Sequence, residues 1–188
     1  MQRLVLTILL IGGTACVAQE KFGKFVGRVV AEWNPDGRTM TLREPFGYVD
    51  PDGLAWSAPK GSQVDGASIP RVAWTLIGGP FEGQYRSASV IHDVACVERK
   101  QSWRKVHRVF YTAMRAAGVS ETQAKIMYAA VFHFGPRWGA DPPAYTLAEM
   151  EFPALAESIR RREEPRPGAV DPGPPLSLED IETYIALR

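Results

Sequence analysis

His92 and Asp93 stand side by side in "SVIHDVAC" (89–96), a stretch that is otherwise apolar or small. A second imidazole, His107, follows in "WRKVHRVF" (103–110). An imidazole beside a carboxylate supports general acid/base catalysis, because His titrates near neutral pH and the carboxylate can orient it. The same groups are ligands for a divalent metal, which would supply a Lewis acid or an activated water. A third outcome is a hydrogen-bonded knot between two helices. Buried polar groups cost about 1–3 kcal/mol each when unpaired, so something must satisfy these side chains. The spacing leaves all three outcomes open, since no tight i, i+4 metal motif marks one of them.

Helical periodicity places these residues. Tyr85, Ala88, Ile91, His92, Ala95 and Cys96 recur on one face, and Asp93 points about 100° away, toward Ser89 and Arg86. Trp103, Val106, His107, Phe110 and Met114 form a matching stripe. The connection centres near Arg99–Lys100. Residues equally far from the turn of an antiparallel helix pair sit at one level, so His92 and His107 are predicted to face each other. The candidate catalytic residues are His92, Asp93 and Asp65, and the candidate metal ligands are His92, Asp93 and His107. Cys96 is one turn after His92; a thiolate there could bind metal or attack, but a lone Cys on an apolar stripe is read as packing.

"VDGASIPR" (64–71) adds an Asp, a Ser and an Arg in one turn. Ser68 suits the N-cap of a helix from Ile69, with Pro70 tolerated in the first turn. Asp65 either closes an Asx turn or serves as a further ligand or acid/base group. Arg71 is the candidate for binding an anionic group of a ligand or cofactor. Nothing in the spacing brings His92 beside Ser68, which is read as structural. The basic run Arg99, Lys100, Arg104, Lys105 and Arg108 is read as a solvated face that could meet anionic headgroups at a membrane.

The elements that must hold these groups follow from pattern. "KFVGRVVAEW" and "RTMTLREP" read as strands, with turns at "NPDG" (34–37) and "VDPDG" (49–53), giving a small N-terminal antiparallel sheet. After Ser68 the period becomes helical. Helices are expected from Ile69 to a stop at Gly78–Gly79, over Gln84–Val97, and over Ser102–Ala117 with a stop at Gly118. Two more are expected, from Ser120 to Gly135–Pro136 and over Thr146–Arg162. The fold class is α+β, a sheet followed by packed antiparallel helices. "EEPRPGAVDPGPP" reads as an extended linker, and "SLEDIETYIALR" as an amphipathic helix with a Ser177/Asp180 capping box. The expected organisation is a leader at 1–18, one domain at 19–162, a Pro-rich linker at 163–175 and a terminal helix at 176–188.

The leader reading rests on one Arg followed by an apolar run from Leu4 to Ile11, too short to span a bilayer. Cleavage after Ala18 would give a soluble exported protein. Cleavage before Cys16 would give a lipoprotein tethered by acyl chains, the one membrane attachment expected. The formal net charge of +1 argues against a nucleic-acid partner. Past the leader Cys96 stands alone, so no disulfide framework within the chain is expected.

Several of these residues together resemble a known family. Val64-Asp65-Gly66-Ala67-Ser68-Ile69-Pro70-Arg71 and Trp74 look like its Asp-x-Ala-Ser-x-Pro-Arg signature, and Ile91-His92-Asp93 looks like its His-Asp helix. Phe110, Gly118, Met127-Tyr128-Ala129-Ala130-Val131, Phe134-Gly135 and Trp138 look like its later helices. The family is the bacterial and phage domain of unknown function numbered thirteen fifty-three. Its name implies no activity; its phage distribution implies work on the cell envelope. Val106-His107 stands where members often have Ala-Asp, so the resemblance implies that His107 replaces an Asp facing His92. The paired helices also resemble, distantly, those of secreted phospholipase A2 enzymes, in which the His activates water and the adjacent Asp holds calcium. The glycine-rich calcium loop and the disulfides of those enzymes have no counterpart here.

The expectation is an exported envelope protein, periplasmic or lipid-anchored. It is read as a metal-dependent or His/Asp hydrolase acting on phospholipid or a cell-wall polymer. The alternative is a non-enzymatic, phage-derived or envelope interaction protein in which the same residues form a structural hydrogen-bond network.

Overall fold

The computed structural model describes residues 21–66, 83–139 and 151–187. The leader with Cys16, the helix expected from Ile69, and Ser68, Arg71 and Trp74 lie outside the described residues. The described part is α+β: six short strands, then five helices.

The strands form two antiparallel sheets where the sequence suggested one. β1 (Lys24–Val26), β4 (Phe46–Val49) and β5 (Ala55–Ala58) pair in the order β1-β4-β5. β2 (Ala31–Trp33), β3 (Met40–Leu42) and β6 (Gln63–Val64) pair in the order β2-β3-β6. The split occurs at Gly27, whose φ of +83° breaks "KFVGRVVAEW" into two strands that enter different sheets. Alternation sets the inner faces. Phe46, Tyr48, Trp56 and Ala58 are buried from one sheet, and Met40, Leu42 and Val64 from the other.

The "VDPDG" turn is fixed by one buried carboxylate. Asp50 Oδ1 accepts from the backbone N–H groups of Asp52 (3.0 Å) and Leu54 (2.8 Å), while Oδ2 accepts from the Trp56 indole N–H at 2.9 Å. Asp50→Ala would leave that indole donor unsatisfied under the sheet. We expect a loss of about 2 kcal/mol in urea unfolding, with Asp50→Asn costing less because it keeps an acceptor.

The helices are α1 (Arg86–Glu98), α2 (Trp103–Ala116), α3 (Glu121–Phe134), α4 (Phe152–Glu163) and α5 (Leu178–Ala186). α1 ends at Arg99, which adopts a left-handed conformation (φ 53°) and returns its N–H to the Ala95 carbonyl. Ser102 then caps α2 by accepting from Lys105 N–H, so only a short turn separates two antiparallel helices. α3 is buried almost all round, from Ala124 to His133. It is therefore the central rod, packed by α2, α4 and α5. Its buried Lys125 is held by Glu121 and by Glu163 of α4.

Both sheets lie against the helices: β5 and β6 contact α1, and β1 contacts α2. The terminal helix α5 has the reciprocal Ser177/Asp180 capping box and buries Ile181 and Ile185. Its Glu182 accepts from the Tyr128 hydroxyl and pairs with Arg108, tying α5 to α3 and α2. The α1–α2 pair and the β6 end thus form one frame, and the His-Asp residues lie within it.

Candidate functional site

The two imidazoles meet. His92 Nε2 and His107 Nδ1 are 2.9 Å apart, a hydrogen bond across the α1–α2 interface. His92 is 1% exposed and His107 fully buried. Aromatic rings wall the pair: Phe110 lies 4.8 Å from His92, and Trp103 lies 5.4 Å from His107, edge-on. On the far side of His107 the chain passes at Gly135. A Cβ there would lie 2.9 Å from His107 Cε1 and 3.1 Å from Nε2, so the missing side chain is what lets the ring fit.

Asp93 serves the other edge of His92. Its Oδ1 is 4.0 Å from His92 Nδ1, close enough for charge pairing and longer than a hydrogen bond. Its Oδ2 accepts from the backbone N–H groups of Asp65 (3.0 Å) and Gly66 (2.9 Å). The "VDG" turn therefore acts through its main chain, with Gly66 at φ +93°. Asp65 itself is half-buried, and its negative charge lies near enough to Asp93 to oppose ionisation there.

Cys96 is half-buried, and its Sγ lies 3.6 Å from His92 Nε2 and 3.9 Å from Nδ1. The sequence assigned it to packing. Cys96 does pack against the core, and its sulfur also stands in a cluster in which His92, Cys96 and His107 each present a ligand atom within 4.8 Å of the others. The sequence-based metal set was His92, Asp93 and His107. Asp93 stands outside this triangle because it addresses His92 from the Nδ1 side, whereas His107 addresses Nε2. Arg71 lies outside the described residues.

Electrostatics follows from burial and these neighbours. Burial opposes a charge on His92, but the Cys96 sulfur and the Asp93 carboxylate outweigh it and push its pKa up to about 9. Burial, then the His92 charge, then Arg137 hold His107 well below the usual range. With His107 neutral, its Nδ1 accepts and His92 Nε2–H donates. His107 Nε2 then carries the remaining proton. It makes no hydrogen bond of ordinary geometry, although the Pro136 carbonyl is close enough to favour a proton there. Burial pushes Asp93 upward, against the stabilising pull of His92 and the Gly66 amide.

Two contributors were missed by sequence reasoning. Gly135 was read only as a helix stop, and the Asp65 and Gly66 amides were not considered as donors. The positive φ that a glycine after Asp65 permits was the available signal for the second.

Residues 40–131 match the family described as "Protein of unknown function (DUF1353)". The chain is similar to two uncharacterised proteins of Sinorhizobium fredii. It is 45% identical to y4jT over 133 residues, covering 70% of this chain and 40% of that protein. It is 43% identical to y4iH over 104 residues, covering 55% of this chain and 44% of that protein. The chain thus spans less than half the length of these relatives. No solved structure matches it.

Proposed function

Residues 40–131 match the DUF1353 family, a family of unknown function, and from that match we propose that the chain is a hydrolase-like protein of the cell envelope centred on His92. The observation that carries this reading is the double hold on one buried imidazole. His107 takes the Nε2 side, Asp93 takes the Nδ1 side, and Asp93 is itself clamped by two main-chain amides. An apolar residue would fill the same space without desolvating a polar ring and a carboxylate. The arrangement fixes the orientation of His92 and gives each ring nitrogen a partner, as acid/base chemistry or metal ligation requires.

In this reading His92 is the acid/base group or a ligand, Asp93 orients it, and His107 is its proton partner. Asp65, half-buried beside Asp93, is assigned as a further ligand or orienting group, and Arg71, outside the described residues, is assigned to an anionic group of the substrate. The substrate would be a phospholipid or a cell-wall polymer, a choice supported by the leader-like N-terminus. Export, with or without an acyl chain on Cys16, belongs to the same proposal.

The burial of both rings favours a second reading, in which the cluster is a structural knot of an envelope interaction protein. Turnover assays separate the two. Hydrolysis of labelled phospholipids or peptidoglycan fragments, lowered about 100-fold in His92→Gln while the thermal midpoint stays within a few degrees, supports the hydrolase. No turnover of either substrate class, with His92→Gln and His92→Ala affecting only stability, leaves the knot.

A further inference from the structure

The geometry points to a transition-metal site of the zinc class held by His92 Nε2, Cys96 Sγ and His107 Nδ1, with Asp93 behind it. This deepens the hydrolase reading and rests on the same His92 centre, but it makes a separate claim about what the cluster binds.

Distances carry the argument first. A tetrahedral zinc, with bonds of about 2.0–2.1 Å to nitrogen and about 2.3 Å to sulfur, sets its ligand atoms roughly 3.3–3.6 Å apart. The His92 Nε2–Cys96 Sγ separation of 3.6 Å already fits. The two ring nitrogens, at 2.9 Å, need to part by about half an ångström, replacing their shared proton with the metal. His92, Cys96 and His107 each present a ligand atom within 4.8 Å of the others, so the last edge of the triangle needs to close by about 1.2 Å at most.

Orientation carries it next. Metal on Nε2 of His92 leaves Nδ1–H directed at the Asp93 carboxylate, the carboxylate–histidine–metal arrangement that fixes a ligand's tautomer. Metal on Nδ1 of His107 leaves Nε2–H on the side of the Pro136 carbonyl. Asp93 in turn is anchored by the Asp65 and Gly66 amides. Helix geometry supplies the spacing: His92 and Cys96 are four residues apart on α1, so their side chains lie one above the other.

Donor chemistry selects the metal. One thiolate and two imidazoles suit zinc and its soft or borderline neighbours, and disfavour magnesium and calcium, which prefer oxygen. Three protein donors leave a fourth position of a tetrahedron for water or substrate, the pattern of catalytic zinc. Cys96 is the half-buried member of the three, so its side is the one from which that position would be reached.

The test uses the full chain, freed of metal by chelation and titrated with zinc or cobalt(II). The expected result is one equivalent bound, with a sulfur-to-cobalt charge-transfer band and the intense visible absorption of four-coordinate cobalt. Cys96→Ser should abolish the charge-transfer band and weaken binding roughly 100-fold, and Asp93→Asn should weaken it about tenfold. His92→Ala risks the fold, but Cys96→Ser is half-exposed and tests the site without it. Absence of stoichiometric binding to the folded wild-type chain overturns the site, as does a cobalt spectrum unchanged by Cys96→Ser. Metal bound without turnover of any substrate defeats the hydrolase reading and leaves the site. Turnover by a folded chain that binds no stoichiometric metal defeats the site and leaves the hydrolase.

Discussion

Asp93→Ala is expected to cost about 3–5 kcal/mol of stability, the largest effect of any single side-chain truncation proposed for this chain. Three losses combine. The Asp65 and Gly66 N–H groups lose their acceptor in a place where Asp93 is only 7% exposed and Gly66 is buried. Each unsatisfied buried donor costs about 1–3 kcal/mol. His92 loses the negative charge that favours its protonated form. The main-chain link between the β6 end and α1 is also released, because Asp93 is the side chain that spans them. Chemical denaturation reads the total.

Asp93→Asn separates these contributions. The amide oxygen can still accept from both N–H groups, so the main-chain clamp survives while the charge is removed. Its cost should be about 1–2 kcal/mol. If Asn proved as damaging as Ala, charge pairing with His92 rather than the clamp would dominate. If both were neutral, the carboxylate would not be holding the turn at all. Amide exchange at Gly66 gives a local readout: protection retained in Asn and lost in Ala is the expected pattern.

How much of this was legible beforehand differs by residue, and the reason is physical. The meeting of His92 and His107 could be read because helical period and a short connection are local properties. Once Arg99 and Ser102 end one helix and start the next, level residues on facing stripes must meet. The helix starts near Ser102 and Ser120 and the capping box at Ser177 were legible for the same reason. The two sheets were not, because strand pairing is nonlocal: β6 joins β3 across the whole β4–β5 hairpin. The role of Asp93 was half legible. Its direction away from the His92 stripe followed from the helix, but its partners are main-chain donors, which carry no residue identity in a sequence. Cys96 was assigned by its type, and a lone thiol among apolar residues does resemble packing. It does pack against the core, and only its distance from His92 Nε2 marks it as a candidate for the proposed metal site.

Gly135→Ala is expected to destabilise the chain by about 2–4 kcal/mol and to disturb the His92–His107 contact, although Ala is ordinarily the milder of substitutions. The backbone of Gly135 is not the reason: φ is −70° and ψ 169°, an extended conformation that any residue adopts. The obstacle is space. The new methyl would overlap the Val131 carbonyl oxygen, which already accepts from the Gly135 N–H at 2.8 Å, and would press on the His107 ring. Main-chain oxygen cannot rotate away as a flexible side chain could, so either the end of α3 unwinds or His107 is driven toward His92. Gly139→Ala is the matched control. That glycine has φ +90° and open space around its Cβ position, so its cost should come from backbone conformation alone, about 1 kcal/mol. Denaturation curves for the two variants, with the imidazole NMR resonances of His92 and His107, decide the matter. A Gly135→Ala penalty no larger than that of Gly139→Ala, with both imidazoles unmoved, would mean that the close approach of the chain to His107 does not hold in solution.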